Sequence, residues 1–161
     1  MNNLFQTYKT LARNISIVEN ELPNYETLLE NLLPCNTPVI GITGAPGAGK
    51  STITNALIRS YLQNGKRIGI IAVDPSSPFN FGSLLGDRVR MSEHFNSPDV
   101  FIRSIASRGS LGGLSEKILE VCDVMKTGNF DLIIIETVAK QLLPFIPDSA
   151  QKILDAVTAE K

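Results

Sequence analysis

GITGAPGAGKST, residues 41–52, is the stretch whose reading decides the fold of this 161-residue chain. Gly44, Gly49, Lys50 and Ser51 satisfy the pattern G-x-x-x-x-G-K-[ST]. The apolar run PVIGITG leads into it, and a helix-length segment opens at Lys50. Strand, glycine-rich turn and helix in that order form the context in which the pattern has a mechanism. Phosphate oxygens are held by several N–H donors converging on a concave backbone, and glycine permits the turns and the close approach. Gly44, Gly47 and Gly49 meet that need. The helix N-terminus adds partial positive charge, the Lys50 ammonium reaches β- and γ-phosphate oxygens, and the Ser51 hydroxyl suits Mg²⁺.

Outward from the motif the chain alternates between two kinds of segment. PVIGITG, KRIGIIAVD, DVFIRSIAS and FDLIIIETV are short apolar runs rich in Ile and Val, the pattern of strands buried on both faces. Helix-length stretches lie between them: 51–63, with Ile53, Ala56, Leu57 and Tyr61 on one face, and 114–126, with Leu114, Ile118, Val121, Cys122 and Met125. Alternation of this kind predicts an α/β fold with a parallel sheet of about four strands. Ahead of it, Leu4, Tyr8, Leu11, Ile15, Val18 and Leu22 repeat at steps of three and four, and a second short helix fits 25–33. These predict an N-terminal helical segment over 1–36, a P-loop NTPase-type domain over 37–138 and a separate tail over 139–161, where Ile153, Leu154 and Val157 mark one last helix.

A phosphate cradle needs a carboxylate to hold the metal's water shell. Asp74 closes IGIIAVD and Glu136 closes LIIIE, so a parallel sheet brings both to its carboxyl edge beside the cradle, unless either acid simply faces solvent. Asp87 in LLGDRVR joins them if its loop folds over the site. In RSIASRGSLGGL, Arg103 and Arg108 with Gly109, Gly112 and Gly113 fit either a basic loop near the phosphates or a plain connection into the next helix. His94 stands alone without metal-ligand spacing, so a surface or packing role is expected, and Cys35 and Cys122 fall in no disulfide or metal motif and are expected to be buried or half-buried thiols.

With 15 basic and 16 acidic residues the chain offers no basic stripe for nucleic acid. No run approaches the length of a membrane span and the N-terminus has no signal-peptide core, which together predict a cytoplasmic protein.

The segments LARNISIVEN, GITGAPGAGKST, GKRIGIIAVDPSSPF, LLGDRVRM, VFIRSIASRGSLGGLS and DLIIIETV closely resemble the MeaB/ArgK family of P-loop GTPases. That family chaperones methylmalonyl-CoA mutase and its adenosylcobalamin, and the resemblance runs in register over about residues 10–138. It implies GTP as ligand and Mg²⁺ as cofactor. Gly44, Ala45, Pro46, Gly47, Ala48, Gly49, Lys50, Ser51 and Thr52 would bind the phosphates. Ser51, Asp74, Asp87 and Glu136 would hold the metal, with Lys50 and Glu136 the residues closest to the chemistry. The loop 75–90 would be a first switch ordered by the γ-phosphate. The implied partners are a nucleotide and methylmalonyl-CoA mutase.

The sequence departs from the family after ETV. A glycine-rich GVGQSE switch is expected there, and the chain reads ETVAKQLLPF, with Ala139 and Gln141 at glycine positions. No N-K-x-D guanine box occurs in the 161 residues. The segment 142–154 faintly resembles the C-terminal helical region of methionyl-tRNA synthetases. These departures predict a truncated sheet short of at least two strands, whose strand 38–43 exposes an apolar edge available for self-association. Three readings follow: GTP binding with Mg²⁺-dependent hydrolysis, a non-catalytic phosphate- or partner-binding remnant, and a small-molecule kinase, which needs a substrate lid.

Overall fold

Each of the four apolar runs forms a parallel strand: β1 (Val39–Gly44), β2 (Ile68–Asp74), β3 (Val100–Ala106) and β4 (Leu132–Val138). The strand order is β1-β4-β2-β3. The computed structural model describes residues 2–44, 47–74, 92–94, 96–106 and 117–138. Ala45, Pro46, Asp87, Arg108, Ala139 and the tail 139–161, with the switch and helix expected there, lie outside the described residues.

Strand alternation sorts the apolar side chains onto two faces. Ile68, Ile70, Val100, Leu132 and Ile134 meet Ile58 of α3 (Lys50–Gln63). Ile71, Val73, Phe101, Ile105, Ile133 and Ile135 meet the other layer: Leu11, Ile15 and Val18 of α1 (Asn2–Glu19) and Ile118, Val121 and Met125 of α4 (Ile118–Lys126). Burial on both faces is the reason that the runs of β2, β3 and β4 show no polar alternation, whereas β1, expected to be buried likewise, has only exposed and half-buried residues. α2 (Tyr25–Glu30) packs only partly buried leucines on this second layer, and Leu33 beyond it is 80% exposed. The helix expected over 25–33 is therefore shorter, and Leu33 is not one of its packing residues. Leu22 likewise lies past the end of α1 and is exposed.

Two polar contacts fasten α1 to the sheet. The Arg67 guanidinium lies 5.7 Å from the ring centres of Tyr8 and of Phe130 and donates to the Gly128 carbonyl at 3.0 Å. Arg103 donates to Glu19 at 3.0 Å and to the Ser16 hydroxyl at 2.9 Å. β3 alternation gives Arg103 the face of Phe101 and Ile105, toward α1. Arg103, expected in a loop or connection, lies instead on β3, where it is an anchor between β3 and α1.

The buried side of α3 also differs from the expected one. Thr54 and Ile58 are the buried residues, Leu57 and Tyr61 are partly buried, and Ile53 and Ala56 are exposed. The helix ends in a Schellman cap: Gly65 takes φ +66°, its N–H donates to Leu62 O, and the Lys66 N–H donates to Tyr61 O, both at 3.0 Å.

Among the described residues β1 pairs with β4 alone, and its Val39 and Ile40 are each 37% exposed. No helix of the described residues is long and apolar enough to cross a membrane.

Candidate functional site

β1 ends at Gly44 and α3 begins at Lys50, both at the carboxyl edge of the sheet, with the described residues 47–49 leading into the helix. Gly47 and Gly49 hold φ of +80° and +83°, where a side chain would be strained, and Gly49 is the N-cap of α3. Gly49 has no side chain with which to cap this helix end. The Lys50 ammonium donates to the Gly44 carbonyl at 3.0 Å and so links the two ends of the turn. Ala48 and Thr52 are exposed on the same turn.

Glu136 comes from β4. Two residues on from Ile134, it has the α3 face by strand alternation, and it is 9% exposed. Its Oε1 accepts the Ser51 hydroxyl at 2.9 Å, and its Oε2 accepts the Thr54 hydroxyl at 3.1 Å. Thr54 is fully buried, and the same hydroxyl lies 3.1 Å from the Lys50 carbonyl. A buried carboxylate is costly unless hydroxyls or amides reach it, and here one donor serves each oxygen.

The donors fit a hard cation. One neutral hydroxyl and one carboxylate beside a phosphate cradle suit Mg²⁺, which keeps most of its waters and takes few protein ligands. Among the described residues no group of three or more His, Cys, Asp or Glu forms a metal-holding cluster. Asp74 ends β2, two residues beyond Ala72, which is in register with Glu136. Its backbone thus lies at the same sheet edge; its side chain, like Asp87, Ala45 and Pro46, lies outside what is described.

The structure therefore brings Gly44, Gly47, Gly49, Lys50, Ser51 and Glu136 together. Thr54 is the participant that sequence reasoning missed. Its signal was spacing: three residues after Ser51, it shares that residue's helical face.

His94, in a single 3₁₀ turn (Ser92–His94), is 5% exposed. Burial pushes its pKa down, although Nε2 stands 3.2 Å from Glu93, itself paired with Arg59 at 2.9 Å. Burial also pushes the Cys122 thiol up to about 12, while Cys35 is half-buried. Both cysteines are free.

The family described as methylmalonyl Co-A mutase-associated GTPase MeaB matches residues 11–141. A protein of Pyrococcus horikoshii with a provisional GTPase name is 45% identical over 132 residues, covering 81% of this chain and 42% of that one. GTPase ArgK of Escherichia coli is 39% identical over 135 residues, covering 80% and 41%. A fused isobutyryl-CoA mutase of Geobacillus kaustophilus is 48% identical over 102 residues, 62% of this chain and 9% of that protein. The crystal structure of a LAO/AO transport system kinase superposes with a TM-score of 0.56 at 27% identity, covering 86% of this chain and 44% of that one. The chain thus spans about two fifths of the length of the curated relatives it matches.

Proposed function

The chain belongs to the family of methylmalonyl-CoA mutase-associated GTPases, MeaB, and from that premise we propose that it binds GTP with Mg²⁺ on the turn 44–52. The observation that carries this reading is the Ser51 hydroxyl held by Glu136 at 2.9 Å across the mouth of a glycine turn. Family, cradle and hard-oxygen pair all converge on one ligand class.

The residues divide the work. Backbone N–H groups of the turn and of the α3 N-terminus bind phosphate oxygens. Lys50, now on the Gly44 carbonyl, exchanges that neutral acceptor for anionic β- and γ-oxygens, which bind an ammonium more strongly. Ser51 gives its proton to Glu136, leaving oxygen lone pairs for the cation. Ser51 and Glu136 would hold Mg²⁺ there, and the cation would supply positive charge beside the phosphates. By the family resemblance, Asp74 and Asp87 would complete the acidic set.

Binding stands ahead of turnover in this proposal. Ala139 and Gln141 replace switch glycines that the resemblance implies. This favours a second reading, nucleotide-dependent partner binding with little hydrolysis. The partner proposed is an adenosylcobalamin-dependent acyl-CoA mutase in the cytoplasm. The family description and the homologous segment in the Geobacillus fused mutase support it. The exposed Val39 and Ile40 on β1 support self-association or pairing with another strand.

The test is a titration of the full chain with fluorescent GTP and ATP analogues, with and without Mg²⁺, beside Lys50→Ala. Expected is Mg²⁺-dependent GTP binding that Lys50→Ala weakens about a hundredfold, as loss of a buried charge-assisted contact implies. Equal binding by Lys50→Ala would overturn the site assignment, and equal GTP and ATP affinities would overturn guanine selectivity.

A further inference from the structure

We propose that Thr54 is a positioning residue for the metal half of this site: its buried hydroxyl holds one oxygen of Glu136 so that the other takes the Ser51 proton. The inference rests on the Mg²⁺ and nucleotide reading above and extends it to a residue outside the sequence motif.

The geometry leaves the Thr54 hydroxyl two acceptors for one proton. The Lys50 carbonyl at 3.1 Å is the usual back-bond of a threonine in a helix, and Glu136 Oε2 lies at the same distance. A carboxylate is the stronger acceptor. The Lys50 carbonyl also has the helix's own donors within reach, whereas Oε2 is an anionic oxygen on a residue only 9% exposed. Committing the proton to Oε2 removes the more costly unpaired group.

What Thr54 fixes is the rotation of the carboxylate. With Oε2 tied to Thr54 and Oε1 to Ser51, both oxygens are held by hydroxyls one turn apart on α3. Ser51 has one proton and two lone pairs. While Oε1 takes the proton, the lone pairs are free to meet a cation; if Glu136 turns away, the hydroxyl loses the acceptor that orients it. Thr54 touches neither phosphates nor metal in this scheme and acts through Glu136.

A filler role makes the opposite demand on chemistry, since Thr54 stands next to the cluster of Ile58, Ile70 and Ile134. Thr54→Val keeps shape and removes the hydroxyl; Thr54→Ser keeps the hydroxyl and removes a methyl. The measurement is binding of a fluorescent GTP analogue to the full chain across a Mg²⁺ series and in EDTA, with thermal melting recorded alongside. Positioning predicts that Thr54→Val raises the Mg²⁺ midpoint about tenfold, the effect of one hydrogen bond to a charged group, and leaves affinity in EDTA within about twofold. Thr54→Ser stays near wild type in midpoint. An unchanged midpoint in Thr54→Val, or equal damage in Thr54→Ser, overturns the inference while leaving the nucleotide site standing. Failure of the wild-type chain to bind nucleotide overturns both.

Discussion

Gly49 and Gly65 provide a matched pair of perturbations. Both take left-handed backbone angles, φ +83° and +66°, and a Cβ added to either meets nothing within 4 Å. Alanine at either position therefore introduces strain without collision. A left-handed alanine costs about 1–2 kcal/mol. Loss of glycine's freedom in the unfolded chain offsets about 0.4–1 kcal/mol of that. The net cost is about 1 kcal/mol at each position, a fall in Tm of about 3 °C for a chain of this size. Function should separate what stability does not. Gly49 orients N–H groups at the start of α3, whereas Gly65 caps its far end. Gly49→Ala is expected to weaken binding of a fluorescent GTP analogue about tenfold or more, the loss of one good N–H to a phosphate oxygen, and Gly65→Ala to leave it unchanged. Thermal melting and titration of the two variants check both halves. Equal loss of GTP affinity in both would refute the cradle argument, because a general loosening of α3 would then explain it. No change in Tm for either would refute the strain argument.

Two further outcomes concern groups outside the site. Burial holds His94 below its ordinary pKa, so the unfolded chain takes up the proton more readily; stability is complete above about pH 6.5 and is lost as the pH falls below it. A His94→Leu variant should show a flatter Tm between about pH 7 and pH 5.5, with Glu93 and Arg59 unchanged in both proteins, and parallel curves would count against a buried neutral imidazole. The Cys122 thiol, pushed up to about 12 by burial, stays protonated and shielded at neutral pH. Iodoacetamide should therefore modify Cys35 first, and peptide mass spectrometry showing equal rates would contradict the packing around α4.

The strands were legible because a sheet covered on both faces requires unbroken Ile and Val runs, and IGIIAVD and LIIIETV have nothing else to be. The cradle was legible because its glycines and its lysine each have one physical reason to stand where they do. Glu136 was legible as a strand-end acid. Thr54 was not, because the apolar residues 53, 56, 57 and 61 describe a helical face centred away from the buried line of Thr54 and Ile58: Leu57 and Tyr61 pack in part, while Ile53 is 55% exposed. What rotates the helix is a polar requirement. A carboxylate rising from β4 needs donors, and residues 51 and 54 supply them. Arg103 misled for a related reason. A glycine-rich stretch follows it in sequence, but the two-residue period of β3 decides its face, and that period puts it with Phe101 and Ile105, toward α1.

Glu136 joins two roles that the sequence presents separately. Its backbone is in register with Ile42, two residues before Gly44, so β4 sets the position of the strand from which the cradle departs. Its side chain holds Ser51, one residue after Lys50, on the helix at which the cradle ends. Lys50 in turn reaches back to Gly44. The path from Ile42 through Glu136, Ser51 and Lys50 to Gly44 is thus a closed ring of one strand pairing and two side-chain hydrogen bonds around the glycine turn. A ring has a consequence that a row of contacts lacks: a change at the metal half alters the spacing of the phosphate half. Among the described residues β1 pairs with β4, and this ring links the turn to that strand. Nucleotide and cation binding on this chain should therefore be mutually dependent, each tightening the same closed path.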